Sequence, residues 1–116
     1  MKTAFITGIT GQDGSYLAKL LLEKGYEVHG GVRRISQPET VRLDLLGSAD
    51  NVTLHEFDLT EQNNIFRTIQ AVEMDEFYNL AAQSFVGASW DLPVYTADAD
   101  GMAVVRILDT LRTLRP

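Results

Sequence analysis

The sequence predicts an α/β fold built on a doubly wound parallel sheet, and three observations carry that reading. Short apolar runs alternate with amphipathic segments in β-α-β-α order along the 116 residues, and such alternation implies parallel strands joined by right-handed crossovers. The turn after the first apolar run holds three glycines, Gly8, Gly11 and Gly14. Gly25 and Gly47 each end a helix-like run, as a C-terminal glycine does. Together these predict a Rossmann-like, three-layer arrangement, truncated after about four strands, in a single domain spanning 1–116.

The first strand is expected at about Thr3 to Thr7 and the first helix from about Asp13 to Lys24, where Leu17, Leu20 and Leu21 recur at helical steps and should face the sheet. A second strand covers Glu27 to Val32, Arg33 to Pro38 reads as loop, and Thr40 to Leu46 reads as a short helix. Val52 to Phe57 makes a third strand, followed by Asp58 and a helix from Thr60 to about Val72 with Ile65, Ile69 and Val72 on one face. Glu76 to Leu80 makes the fourth strand, and residues 81–92, rich in small and polar side chains, read as a long loop. The last helix starts near Pro93, a residue suited to a first helical turn. Its apolar face is expected at Ala97, Gly101, Val104, Val105, Leu108 and Leu111, and the strand it should feed lies beyond Pro116.

Composition excludes several classes. With 45% hydrophobic residues the chain can bury a core, and with no cysteine it offers neither a disulfide scaffold nor a thiolate metal site. A reducing, cytoplasmic setting is compatible with that. No apolar stretch approaches the roughly 18 residues of a membrane span, which predicts a soluble chain without a membrane partner. The net charge of −6, with no basic stripe, argues against nucleic acid. His29 and His55 stand far apart in sequence with no carboxylate at ligand spacing, so no metal is expected. Trp90, Phe85 and Phe77 read as core or loop anchors, and Asp98 and Asp100 as a solvated face. No Ser-His-Asp set and no phosphate loop of the G-x-x-x-x-G-K-[ST] kind is present, which argues against a hydrolase or P-loop kinase.

In a doubly wound sheet, ligands bind at the carboxyl ends of the strands. Four segments fall there. Gly8-Ile9-Thr10-Gly11-Gln12-Asp13-Gly14 turns a strand into a helix whose first N–H groups can face a pyrophosphate, although its spacing is G-x-x-G-x-x-G and not G-x-G-x-x-G. Gly8 would permit the turn, Gly11 the approach of phosphate, and Gly14 the packing of helix on sheet. Arg33 and Arg34 end the second strand, where an NAD site carries an acidic residue; guanidinium groups suit a 2′-phosphate, so NADP is the expected cofactor. Asp58 either caps the following helix or accepts from an adenine amino group, and the two roles are compatible. After the fourth strand, Leu80, Ala81 and Ala82 would let backbone lie against a flat ligand while Gln83 and Ser84 add polar contacts.

The runs Ile6 to Ala18 and Leu22 to Gly30, then Val32-Arg33-Arg34, Tyr78 to Ser84 and Tyr95-Thr96-Ala97-Asp98, resemble in order the opening of the GDP-mannose 4,6-dehydratase family of extended short-chain dehydrogenases/reductases. The Gln12-Asp13 pair separates this resemblance from relatives with apolar residues there. The resemblance implies an NADP-dependent lyase acting on GDP-mannose by internal redox: hydride leaves C4, water leaves C5–C6, and hydride returns to C6 to give the 4-keto-6-deoxy product. It also implies cofactor contacts at Gly8 to Asp13, Arg33, Arg34, Ile35, Ser36, Asp58, Leu59, Leu80 to Ser84 and Tyr95, and a homo-oligomer, tetramer or dimer. Ile35-Ser36-Gln37-Pro38 replaces a serine-rich stretch and Phe85 replaces a histidine. The family's Tyr-x-x-x-Lys pair is absent, since Tyr16, Tyr26, Tyr78 and Tyr95 precede Leu20, Gly30, Ala82 and Ala99 by four. The expectation is therefore the N-terminal, cofactor-binding part of a longer enzyme, with no catalytic residue in these 116. A stand-alone NADP-binding module and a related nucleotide-sugar epimerase or reductase are the alternatives.

Overall fold

The computed structural model describes residues 1–33, 40–81 and 86–115, with only the backbone of 86–88. Their order is β1 (Thr3–Thr7), α1 (Gln12–Glu23), β2 (Glu27–Val32), α2 (Val41–Leu45), β3 (Val52–Glu56), α3 (Gln62–Ala71), β4 (Glu76–Asn79), α4 (Val86–Asp91), α5 (Pro93–Ala97) and α6 (Ala103–Leu114). A 3₁₀ turn, Ala49–Asn51, precedes β3, and a π-helical turn, Asp98–Met102, joins α5 to α6. Each strand stands where the apolar runs predict it. The expected loop 81–92 instead contains α4, whose sequence, with Gly87 between apolar residues, shows no helical periodicity.

The described residues fall into two compact units, Met1–Phe57 with Glu73–Leu80, and Asp58–Val72 with Ala81–Pro116. The first holds the sheet. Its four strands run in the order β3-β2-β1-β4, and β1 pairs in parallel with both neighbours, Thr7 lying opposite Gly31 on one side and Asn79 on the other. The chain thus goes outward from β1 to β3 and returns to pair β4 on β1's free side, which makes β1/β4 the point where strand order reverses.

One sheet face forms a core with α1 and α2: Ala4, Ile6, Val28 and Val32 from the strands cluster with Ile9, Ala18, Leu21 and Leu43. Leu20, expected to face the sheet, is instead 48% exposed. The buried residues of α1 are Gly14, Ser15, Ala18 and Leu21, because small side chains in its first turns admit close packing and pull that stripe inward. Gly30 is a socket on this face, where an added Cβ would lie 2.5 Å from Ile9 Cδ1. On the other face Phe5 stacks with Phe77 at 5.4 Å and meets Phe57 at 5.2 Å, so Phe77 is an aromatic anchor as expected. At the amino ends of the strands, Glu76 accepts from the hydroxyls of Tyr26 at 2.9 Å and Tyr78 at 2.6 Å. These bonds hold Glu76 below the usual carboxylate range and push both phenols up.

In the second unit α3 packs on α6. Ile65, Ile69 and Val72 are buried as predicted. The face of the last helix is not the predicted one. Ala99, Ala103, Ile107 and Thr110 are buried, whereas Val104, Val105 and Leu108 are 39%, 54% and 60% exposed. The helix carries two apolar stripes, and the π turn rotates its phase. Polar bonds fix the choice: Gln62 Nε2 donates to Thr110 Oγ1 at 3.0 Å, and Arg115 Nη2 donates to Ile69 O in the last turn of α3 and to Val72 O just after it. Asp98, expected to be solvated, pairs with Arg106. Trp90, expected as an anchor, is 83% exposed on α4.

Candidate functional site

The glycine turn is built as its sequence requires, with one reassignment. Gly8 adopts φ 71°, a left-handed conformation that a side chain resists, and its carbonyl accepts from Gly11 N at 3.0 Å. Gly11, at φ −74°, has no such need. A Cβ there would meet only Gly8 O, at 3.3 Å, with otherwise open space. Gly14 is the tight position, since its Cβ would stand 2.2 Å from Gly8 O and 2.8 Å from Ile9 Cα. The third glycine therefore lets α1 close on its own entry turn.

Ile9 is fully buried, and Ser15 Oγ donates to its carbonyl at 3.0 Å. Thr10 O accepts from Arg42 Nη1 at 3.3 Å, which ties α2 to the turn. Gln12 and Asp13 occupy the first turn of α1, and among the described residues no side chain caps that terminus. Its leading N–H groups and the positive end of the helix dipole are thus available to an anion. A cavity of about 340 Å³ lies alongside, lined by Gln12, Ser15, Tyr16, Arg42, Leu45 and Leu46.

Arg33 follows β2 and is exposed. Leu80 follows β4, and its N–H donates to Thr7 Oγ1 at 3.0 Å while Thr7 Oγ1 donates to Asn79 Oδ1 at 2.7 Å. The parallel register places the Gly8 turn, Arg33 and Leu80 on one carboxyl edge of the sheet. Asp58, Leu59, Ala81 and Tyr95 belong to the second unit. There Asp58 Oδ1 accepts from Thr60 N at 3.0 Å and Thr60 Oγ1 at 2.7 Å, so the carboxylate closes a local turn two residues ahead of α3 and does not cap the helix itself. Leu59 O accepts from Arg106 Nη1, and Tyr95 lies half-buried on α5. Arg34, Ile35, Ser36, Ala82, Gln83, Ser84 and Phe85 lie outside the described residues.

Two features escaped the linear reading. The Thr7–Asn79 bond joins residues 72 apart that only the β1–β4 register brings together. His29 and His55, distant in sequence, lie on one sheet face with His29 Nδ1 2.9 Å from His55 Nε2. Alternation on neighbouring parallel strands was the signal that could have paired them. Among the described residues no cluster of three metal-ligating side chains occurs, and no helix is long and apolar enough to cross a membrane.

A parallel sheet that reverses order beside β1, with a left-handed glycine opening an uncapped helix, defines an α/β protein of the Rossmann-like class. The family model described as GDP-mannose 4,6 dehydratase matches residues 5–116, and the chain belongs to that family. It is 52% identical over 118 residues to the GDP-mannose 4,6-dehydratase of Vibrio cholerae, covering 97% of this chain and 32% of that protein. The corresponding human protein is 52% identical over 116 residues, with 95% and 31% covered. The chain thus spans about a third of the length of the curated relatives it matches. Among solved structures, the UDP-glucose 4-epimerase of Thermus thermophilus, in complex with NAD, superposes at a TM-score of 0.81 with 22% identity, covering 97% of this chain and 34% of that one. That likeness concerns the fold.

Proposed function

We propose that these residues are the N-terminal, NADP-binding part of a GDP-mannose 4,6-dehydratase. The observation that carries the reading is the glycine turn: Gly8 is left-handed, the space beyond Gly11 is open, and α1 begins without a cap. A pyrophosphate fits this cradle, held by the leading amides of α1 and by the helix dipole. Arg33, with Arg34, supplies guanidinium groups for an adenosine 2′-phosphate, where a carboxylate would repel it. Leu80, at the end of β4, offers backbone to the other half of the dinucleotide. The cofactor, when bound, provides the hydride acceptor that the dehydratase chemistry needs and gives the hydride back. The work of this chain is to bind and orient it.

The naming of the relatives as dehydratases, at 52% identity, favours that activity over epimerisation, which the structural neighbour's 22% does not support for this chain. A homo-oligomer and a cytoplasmic location go with the same reading, and the exposed stripe Val104, Val105 and Leu108 is a face that further protein could cover. Calorimetric titration tests the cofactor. The protein should bind NADP⁺ more tightly than NAD⁺, and replacing Arg33 and Arg34 by alanine should remove that preference, each lost charge-assisted bond weakening NADP⁺ by about 1.5–3 kcal/mol. Equal titration curves for the two cofactors in the parent protein would refute the NADP assignment.

A further inference from the structure

The first unit contains a polar chain that the cofactor site does not use. Glu27 Oε2 lies 2.9 Å from His29 Nε2, and His29 Nδ1 lies 2.9 Å from His55 Nε2. The two imidazole rings are 5.1 Å apart between centroids, and Phe5 lies against His55 at 5.9 Å. Glu27 and His29 belong to β2 and His55 to β3, so the bond crosses from one strand to the next, diagonal to the backbone register that sets His29 opposite Thr53 and Gly31 opposite His55. It adds a side-chain hydrogen bond to strands already paired through their backbones. The order of strands makes β3 an edge of this sheet, paired on one side only.

Hydrogen-bond chemistry limits when the link can exist. A neutral imidazole has one donor and one acceptor nitrogen, whereas imidazolium has only donors. With no added proton, Glu27 accepts from His29 Nε2–H and His55 Nε2–H donates to His29 Nδ1. With one added proton, a donor still faces an acceptor. With two, donor faces donor, and two positive rings repel across the gap. We propose that the His29–His55 pair is an acid-sensitive clasp between β2 and β3, closed while at most one of the rings is protonated and opened by the second proton.

The surroundings agree. Burial, then the neighbouring His29 charge, pushes His55 below the ordinary 6.5 of histidine. Among the described residues, Glu27 on β2 is hydrogen-bonded to this pair, β1 contributes the neutral Phe5 ring and the Thr3 hydroxyl on Glu27, and Glu56 follows His55 on β3. A group depressed in the folded state binds more protons when unfolded, so its stabilising effect is present above pH 6.5 and is lost as pH falls through the folded value.

Urea unfolding of the intact protein between about pH 8 and pH 5, for the parent and for His55→Gln, tests the clasp across the range in which histidine titrates. The parent should lose midpoint concentration more steeply below pH 6.5 than the variant, since carboxylate titration is common to both. Imidazole ¹⁵N spectra of the parent should show His55 still neutral where an ordinary histidine is half protonated, and the two rings should change together as the clasp opens. Parallel unfolding profiles would overturn the proposal, as would a His55 that titrates at or above 6.5. If His55→Gln does not fold, the spectra of the parent decide alone.

Discussion

At the residue scale, the three glycines of the entry turn separate fold from ligand. Gly14→Ala forces a Cβ to 2.2 Å from a backbone carbonyl that cannot swing away, and overpacking of this kind costs about 1–3 kcal/mol. Gly8→Ala places a side chain at φ 71°, for which the left-handed penalty is about 1–2 kcal/mol. Gly11→Ala asks for much less, because φ is −74° and the same carbonyl, 3.3 Å away, need give only slightly. Urea midpoints should therefore fall for the first two and barely move for the third, while NADP⁺ affinity falls for Gly11→Ala if phosphate approaches there. The glycine triplet was legible from spacing and context, and so was the turn role of Gly8. What Gly14 packs against was not, because the path of the Gly8 carbonyl emerges only once α1 has closed on the turn.

Helices show how far periodicity reaches. In α3, Ile65, Ile69 and Val72 have a polar face behind them, and the pattern has one solution. In α6 two apolar stripes compete, and the buried one includes Ala103 and Thr110, residues that hydropathy underweights. Steric fit against α3 and the Gln62–Thr110 bond decide between them, together with a π turn that shifts register by a fraction of a turn. Substitutions should report this choice. Ile107→Ala, at a residue 3% exposed, should cost about 2–5 kcal/mol. Leu108→Ser, one position on and 60% exposed, should stay within about 0.5 kcal/mol in thermal or chemical unfolding. A comparable loss for both would mean that the exposed stripe is covered by other protein. The strands were more legible than the helices, since short apolar runs between glycines leave little choice of boundary; α4 was not, lacking any repeat of apolar residues.

For the molecule as a whole, charge and composition argue against nucleic acid, and the proposed cofactor site lies at the carboxyl edge of the sheet. The sequence located the Gly8 turn, Arg33 and Leu80 at strand ends, and parallel register does bring these three onto one edge. The His29–His55 contact needed one step more, since spacing along the chain does not show it until alternation is combined with the adjacency of β2 and β3. Activity is also a matter of the whole. Without a Tyr-x-x-x-Lys pair, these 116 residues offer no phenol activated by a neighbouring lysine for proton transfer at the sugar. On their own they should bind NADP⁺ yet convert no GDP-mannose, which product analysis by chromatography checks; any 4-keto-6-deoxy sugar formed by the chain alone would place catalysis within it.

Gly30 gives the entry turn a dependence on a strand that follows it in sequence. Ile9 leaves the turn and fills the space that a side chain on β2 would take, within 2.5 Å of where its Cβ would stand. The turn cannot relax outward without withdrawing Ile9, and β2 cannot leave β1 without uncovering it. Amides of the turn and of β2 should then open to solvent exchange as one cooperative unit rather than in succession. During folding, likewise, the entry turn acquires its final shape only when β2 has docked, although every residue that forms the turn precedes β2 in the chain.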